Sequence, residues 1–289
     1  MQLLFYLILY PILWLISILP FPLLYLFSDF VCFIVYRLIG YRKKIVRENL
    51  ALTLPHLSEK ERKNIEVKFY HHMCDMFLEM IKTIHISKEE IQKRYKFTNI
   101  DLYLDMEKKD KSIALLCAHY ASYEWAVSMN YQINFTGYGI YKKLANNHFD
   151  KLVHTIRSRF KAVLITTKET VPTIENCKKT GKLGVYGFAS DQSPKSHRGS
   201  HWGTFMGIET PIHVGAEVLA KRLDMNVIFL KTKKIKRGYY EATFELLVDN
   251  PKECANYEIS EMFMKKVEQQ IYEAPEYYLW THKRWKHQK

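Results

Sequence analysis

His119 ends the apolar run Ile113-Ala-Leu-Leu-Cys-Ala118, and Glu124 follows five residues later. A neutral imidazole takes up a proton near neutral pH, and a carboxylate can hold its tautomer and stabilise the imidazolium, so the two form a base–orienter pair. On one continuous helix, positions five apart point about 140° away from each other and do not meet. The spacing therefore predicts a strand–turn–helix corner. The buried strand delivers His119 at its C-terminal end, where α/β sheets present ligands. Glu124 falls in the first turn of the next helix, where a carboxylate is favoured. Ser122, two residues before Glu124, is expected to cap that helix rather than to serve as a nucleophile.

Three other places carry candidate chemistry. Arg157 is either a bidentate anion or oxyanion ligand or an exposed helix charge. Asp191 closes an apolar strand, which suits either an orienting carboxylate or a turn cap. The loop Lys195-Ser-His197-Arg198-Gly-Ser-His201 contains H-x3-H, but Pro194, the serines and Gly199 argue against a helix, and no third ligand is in sight. No metal is expected there; a phosphate contact through Arg198 is the alternative reading.

Positioning these residues requires a sheet. Short β-type runs occur at 113–118, 137–141, 162–167, 183–189, 226–231 and 239–248, and helical stretches lie near 122–131, 147–160, 170–179, 211–223 and 258–273. That alternation predicts an α/β fold on a central sheet. Upstream, 57–93 has helical periodicity, and Ser58 with Glu61 fits a capping box. His71 and His72 are adjacent and cannot face one ligand together.

The charge distribution divides the chain. Its 289 residues carry 43 Lys+Arg against 30 Asp+Glu, a net +13, yet residues 1–40 hold one acid, Asp29, and one base, Arg37. All of the +13 therefore sits on 41–289, and two units are expected: an apolar anchor over 1–40 and a basic catalytic domain over 41–289. Met1 to Ser28 has no charged side chain, and about 20 apolar residues suffice to cross the hydrocarbon core. A secretory leader would carry a positive n-region and a small-residue cleavage site, and neither is present. Pro20 and Pro22 should break the run, giving a helix over about 2–19, spanning or deeply inserted, and a second along the interface over about 23–40. The cluster Arg42, Lys43, Lys44, Arg47 then places the body on the cytoplasmic side. The five scattered cysteines, never in CxxC, fit reduced thiols. Near the C-terminus, Lys283, Arg284, Lys286 and Lys289 alternate with Trp280 and Trp285. Such a patch suits lipid headgroups beside a membrane anchor better than nucleic acid.

At this point the chain resembles the late acyltransferases of lipid A biosynthesis, within the lysophospholipid acyltransferase group and its H-x4-D/E motif. The segments that carry the resemblance are Tyr36–Leu50 with Leu54-Pro-His-Leu-Ser58, the His119–Glu124 motif, Tyr141–Asn146 with Asp150 and Arg157-Ser-Arg159, Phe188–Gln192, Phe205-Met-Gly207 and Tyr278–Trp285. The family's Arg-Pro and Asn-Pro pairs are here Lys142-Lys143 and Asn146-Asn147. Glu124 rather than Asp favours the lipid A branch over the glycerol-phosphate acyltransferases.

The resemblance implies a glycerol-phosphate acyltransferase-like fold, a central mixed sheet flanked by helices behind an N-terminal membrane helix. It implies O-acyl transfer from an acyl carrier protein or coenzyme A thioester to a hydroxyl of a phosphorylated lipid A precursor, at the bacterial inner membrane and without a cofactor. His119 would be the base, Glu124 its orienter, and Arg157, Asp191, Arg159 and Arg198 substrate contacts. A basic body also suits acidic acyl carrier protein. Two rival readings remain: the same chemistry on a lysophospholipid, aminolipid or other glycolipid, or a non-catalytic basic protein tethered to a membrane.

Overall fold

A computed structural model describes residues 2–194 and 201–288, apart from the side chain of Gln2. Seven strands form one mixed sheet in the order β1-β9-β8-β2-β5-β3-β4, with β1 at Tyr95–Thr98, β2 at Ile113–Cys117, β3 at Thr136–Tyr141, β4 at Val163–Thr166, β5 at Gly184–Ala189, β8 at Asn226–Lys236 and β9 at Tyr239–Val248. β4, β3, β5, β2 and β8 run parallel; the β8–β9 hairpin reverses direction and β1 follows β9. The central strand β2 is buried at Ile113 to Leu116, the continuous apolar run expected of a parallel strand covered on both faces. A separate hairpin pairs β6, His201–Phe205, with β7, Ile208–Ile212.

The helices fill in around this sheet. α4, Glu59–Lys82, starts at a true capping box: the Ser58 side chain accepts from Glu61 N–H and the Glu61 carboxylate reaches back to Ser58 N–H. The helical stretch does not run unbroken to 93. It stops at Lys82 and resumes as α5, Lys88–Arg94, on a second cap where Ser87 accepts from Glu90 N–H. After α6, Ile100–Glu107, come α7, Asn147–Ser158, α8, Thr170–Lys179, α9, Gly215–Leu223, and α10, Glu258–Glu273. Strand β1 and the β6–β7 hairpin were not foreseen. The alternation in β1, Tyr95-Lys-Phe-Thr98, spans only four residues directly after a helix, and the hairpin turns at Met206-Gly207, where both residues have positive φ.

The N-terminal region forms α1, Gln2–Ile18, and α2, Phe21–Cys32, which continues as a π-helical stretch over Phe33–Ile39. Pro11 sits inside α1 without ending it, whereas Pro20 precedes α2 and Pro22 occupies its first turn. Gly40 closes the π stretch in the left-handed region at φ 66°, and α3, Lys43–Thr53, follows. The C-terminal tryptophans do not form a surface patch. Trp280 and Trp285 lie in the core, and the Arg284 guanidinium between them is buried over the Phe205 ring. Their aromatic area completes the core instead of facing headgroups.

Candidate active site

Parallel pairing sets the two central groups side by side. β2 and β5 are in register with Cys117 opposite Ala189, so the residues two beyond each strand end, His119 and Asp191, meet. Asp191 Oδ1 lies 2.8 Å from His119 Nδ1 and accepts the His119 backbone N–H at 3.1 Å. Asp191 is fully buried, while 21% of the His119 side chain remains open. Burial disfavours the imidazolium, but the Asp191 carboxylate outweighs it and Glu124 adds to it, holding His119 above its ordinary value. Asp191 is in turn held below the usual carboxylate range, because the His119 charge and hydrogen bonds overcome its burial. The Tyr123 ring meets the imidazole edge-on at 5.0 Å. Cys117, two residues earlier at the end of β2, is pushed up to about 12 by burial and the Asp191 charge, so it is no thiolate nucleophile at neutral pH.

The turn after His119 is held by the C-terminal segment. Ala121 adopts φ 49°, a conformation that an L side chain visits at a cost of about 1 kcal/mol. Ala121 N–H donates to Tyr277 O at 2.9 Å, and Leu279 N–H donates to His119 O at 3.2 Å. On the Asp191 side, Ser193 N–H donates to His282 Nε2 at 3.1 Å. Burial, with His119 and Arg284 nearby, pushes His282 down to about 4, so it stays a neutral acceptor. Asn49 of α3 ties this segment down, donating to Trp280 O at 2.8 Å and His282 O at 2.9 Å. One stretch, 277–282, thus fixes both loops that carry the His119–Asp191 pair.

Glu124 opens the 310 helix Tyr123–Tyr131, and Arg157 lies in the last turn of α7. They form a bidentate pair, Arg157 Nε to Glu124 Oε2 at 2.9 Å and Nη2 to Oε1 at 2.6 Å. Both residues, with His119, Tyr123 and Asn130, line a cavity of about 160 Å³ whose other walls are mostly apolar: Leu115, Val127, Met129, Leu164, Val185 and Leu230 among them. The apolar part of this lining has the chemistry to accept hydrocarbon, with the charged groups gathered at one end. Its floor is low because Gly187 pairs with Gly139 and with Leu115 across three adjacent strands. A Cβ on Gly139 would sit 2.9 Å from Leu164 Cδ2, so a side chain there would have to displace the end of Leu164.

The chain matches the family described as bacterial lipid A biosynthesis acyltransferase over residues 2–287. It belongs to that family. The acyltransferase is also 26% identical to the lipid A biosynthesis lauroyltransferase of Escherichia coli (strain K12) over 282 residues, which is 95% of this chain and 89% of that protein. The protein is therefore an acyltransferase of lipid A biosynthesis, built as an α/β fold with a central seven-stranded sheet.

Of the acyltransferase's sequence-derived site residues, the structure gathers His119, Glu124 and Arg157 on one cavity, with Asp191 buried against His119, but pairs them differently from expectation. The carboxylate on His119 Nδ1 is Asp191, not Glu124, which takes Arg157 instead. The reason is topological. The strand-end carboxylate shares the register of His119, whereas the 310 helix carries Glu124 toward α7. Arg159 points away from the cavity and caps α4, with Nη1 on Thr83 O at 2.8 Å and on Ile84 O, and Nη2 on Ile86 O at 3.0 Å. Arg198 and His197 lie outside the described residues; His201 pairs with Glu261 at 2.8 Å. Ser122 occupies the cap position without making a side-chain cap bond, and its hydroxyl is buried without a partner among the described residues. Asn49, Tyr123 and His282 were missed. Asn49 and His282 fall within segments that carry the family resemblance, but nothing local marks them.

Proposed function

We propose that this acyltransferase moves a fatty acyl chain from an acyl carrier protein thioester to a hydroxyl of a phosphorylated lipid A precursor at the inner membrane, using His119 as general base. The observation that carries this reading is the His119–Asp191 pair beside a largely apolar cavity that His119 itself lines. With Asp191 accepting Nδ1–H, Nε2 is left as the free acceptor. The acceptor hydroxyl gives its proton to Nε2 as its oxygen attacks the thioester carbonyl carbon. The tetrahedral intermediate then expels the thiolate, which recovers the proton from Nε2–H. The attacking oxygen comes from the substrate, so the step needs neither a protein nucleophile nor a cofactor.

Arg157 has two of its five N–H groups on Glu124, which leaves three to face the developing oxyanion or an acceptor phosphate. Glu124 acts through Arg157 and adds negative potential that favours imidazolium. The apolar cavity receives the acyl chain. The net +13 of the chain suits an acidic carrier protein and a phosphorylated acceptor. The apolar helices 2–39 suit a membrane location, with the basic residues after them on the cytoplasmic face.

The test is mass spectrometry of glycolipids made by the purified protein from acyl carrier protein and coenzyme A thioesters, offered separately. An acyl ester on the lipid A precursor, formed from the carrier-protein donor, is expected. Transfer only to a lysophospholipid, or only from coenzyme A, would refute the acceptor or the donor respectively.

A further inference from the structure

Fifteen of the 26 exposed large apolar side chains among the described residues lie between Leu3 and Ile39. They occupy one side of each apolar helix, and the opposite side is fastened to the body at points far apart along the chain. On α1, Tyr6 stacks on His148 of α7 at 5.4 Å, and Ser17 Oγ lies 2.6 Å from His85 Nδ1 just beyond α4. Those anchors are 11 residues apart, about 16 Å of helix. On α2, Tyr25 donates to Glu79 at 2.9 Å and Ser28 to Asp75 at 2.8 Å, and Tyr36 of the π stretch meets Tyr70 at 4.8 Å. The partners descend from 79 to 70 as the chain ascends from 25 to 36, so α2 and the π stretch lie antiparallel along α4. The one acid of this region, Asp29, is neutralised by Arg237 at 2.7 Å.

A helix that crosses a bilayer must leave the protein for roughly 30 Å of hydrocarbon. Neither helix leaves. Following α2 into the membrane core would also carry in the part of α4 it packs along, with His71, Asp75, Glu79 and Lys82. We propose that α1 and the α2–π stretch lie in the plane of a single leaflet, as a two-helix float rather than a span. Their outer faces, Leu4, Ile8 and Leu15 on α1 and Leu26, Phe30 and Phe33 onward, sink about 5–10 Å into the leaflet. The inference rests on the membrane reading above and specifies its geometry.

Charge fits this occupant. Exposed Arg37, Arg42 and Lys44 sit where the π stretch ends, and exposed Lys142, Lys143 and Lys151 flank the end of α7 on which α1 rests. Both groups adjoin the apolar helices and have the charge to meet anionic headgroups. The arrangement also places the reaction. Along α7, Arg157 beside the cavity is nine residues, about 14 Å, from His148, which Tyr6 contacts. An amphiphile can then present its headgroup hydroxyl to His119 while its own acyl chains stay in the leaflet.

Spin labels placed singly by Leu4→Cys, Ile8→Cys, Ile12→Cys and Leu15→Cys in the full chain, in vesicles of phosphatidylethanolamine and phosphatidylglycerol, test the geometry by power saturation. The unsubstituted chain gives the background from native thiols. The float requires four similar shallow depths. A monotonic ramp of about 16 Å from position 4 to 15, the rise of an upright helix, would overturn it while leaving the membrane reading intact. Water-exposed labels on protein that does not float with the vesicles would overturn the membrane reading itself. Spin–spin broadening between copies would make this face a dimer interface and likewise reject the proposal.

Discussion

Asp191→Asn separates two things a carboxylate can do for an imidazole. In the native site a single oxygen, Oδ1, accepts both the His119 backbone N–H at 3.1 Å and the ring at 2.8 Å. The backbone donor cannot rotate away, so the variant's amide must present its oxygen at that point. Nδ1–H keeps its acceptor and Nε2 remains the free base. What disappears is the charge. A hydrogen bond to a charged group is worth about 1.5–3 kcal/mol, so loss of imidazolium stabilisation should lower kcat about 10- to 150-fold. The pH profile carries the second signature. His119 must be neutral to accept a proton, and its value is raised by Asp191 against the effect of burial. Wild-type activity should therefore climb with pH through a value above 6.5, and the acid limb should move to lower pH in the variant. Single-turnover acyl transfer across pH 5–9 reads both effects. Glu124→Gln is the contrast: with its carboxylate on Arg157, it should lower kcat with a smaller displacement of the limb. If Asp191→Asn left kcat and the limb unchanged while Glu124→Gln displaced it, the assignment of Asp191 as the orienting carboxylate would be refuted.

Two further outcomes follow from the packing. A Cβ on Gly187 meets nothing closer than Tyr138 O at 3.6 Å and points into the cavity, so Gly187→Val should fold normally and shift preference to shorter acyl donors, read by competition between thioesters of different chain length. Asn49→Ala orphans the buried Trp280 carbonyl and the partly buried His282 carbonyl; it should cost about 1–3 kcal/mol in urea unfolding and lower kcat more than it raises KM, because Asn49 touches no substrate and acts by holding the segment that positions His119 and Asp191.

The strand that delivers His119 was legible because a buried parallel strand writes itself as an unbroken apolar run, Ile113 to Ala118, and the alternation of such runs with helices gave the α/β class. Periodicity also marked α4 and α10, and Ser58 with Glu61 marked where α4 begins. The pairing within the site was not legible. Sequence neighbours His119 and Glu124 suggested a dyad, whereas the partner of His119 is 72 residues away, set by the β2–β5 register. Arg159 looked like its neighbour Arg157, but two positions along the end of α7 turn the side chain from the cavity to the carbonyls just past α4. Trp280, Arg284 and Trp285 looked like a basic-aromatic surface because alternation alone does not say which side is inward. No local pattern reports Asn49, whose role depends on carbonyls more than 230 residues away.

The central claim is that His119 is the base for direct transfer to the acceptor hydroxyl. Single-turnover transfer by purified His119→Ala, with its fold verified by circular dichroism, tests it most directly. The general base contributes on the order of 10²–10⁴ in rate, and a loss of that size is the expected result; transfer at the wild-type rate would contradict the account.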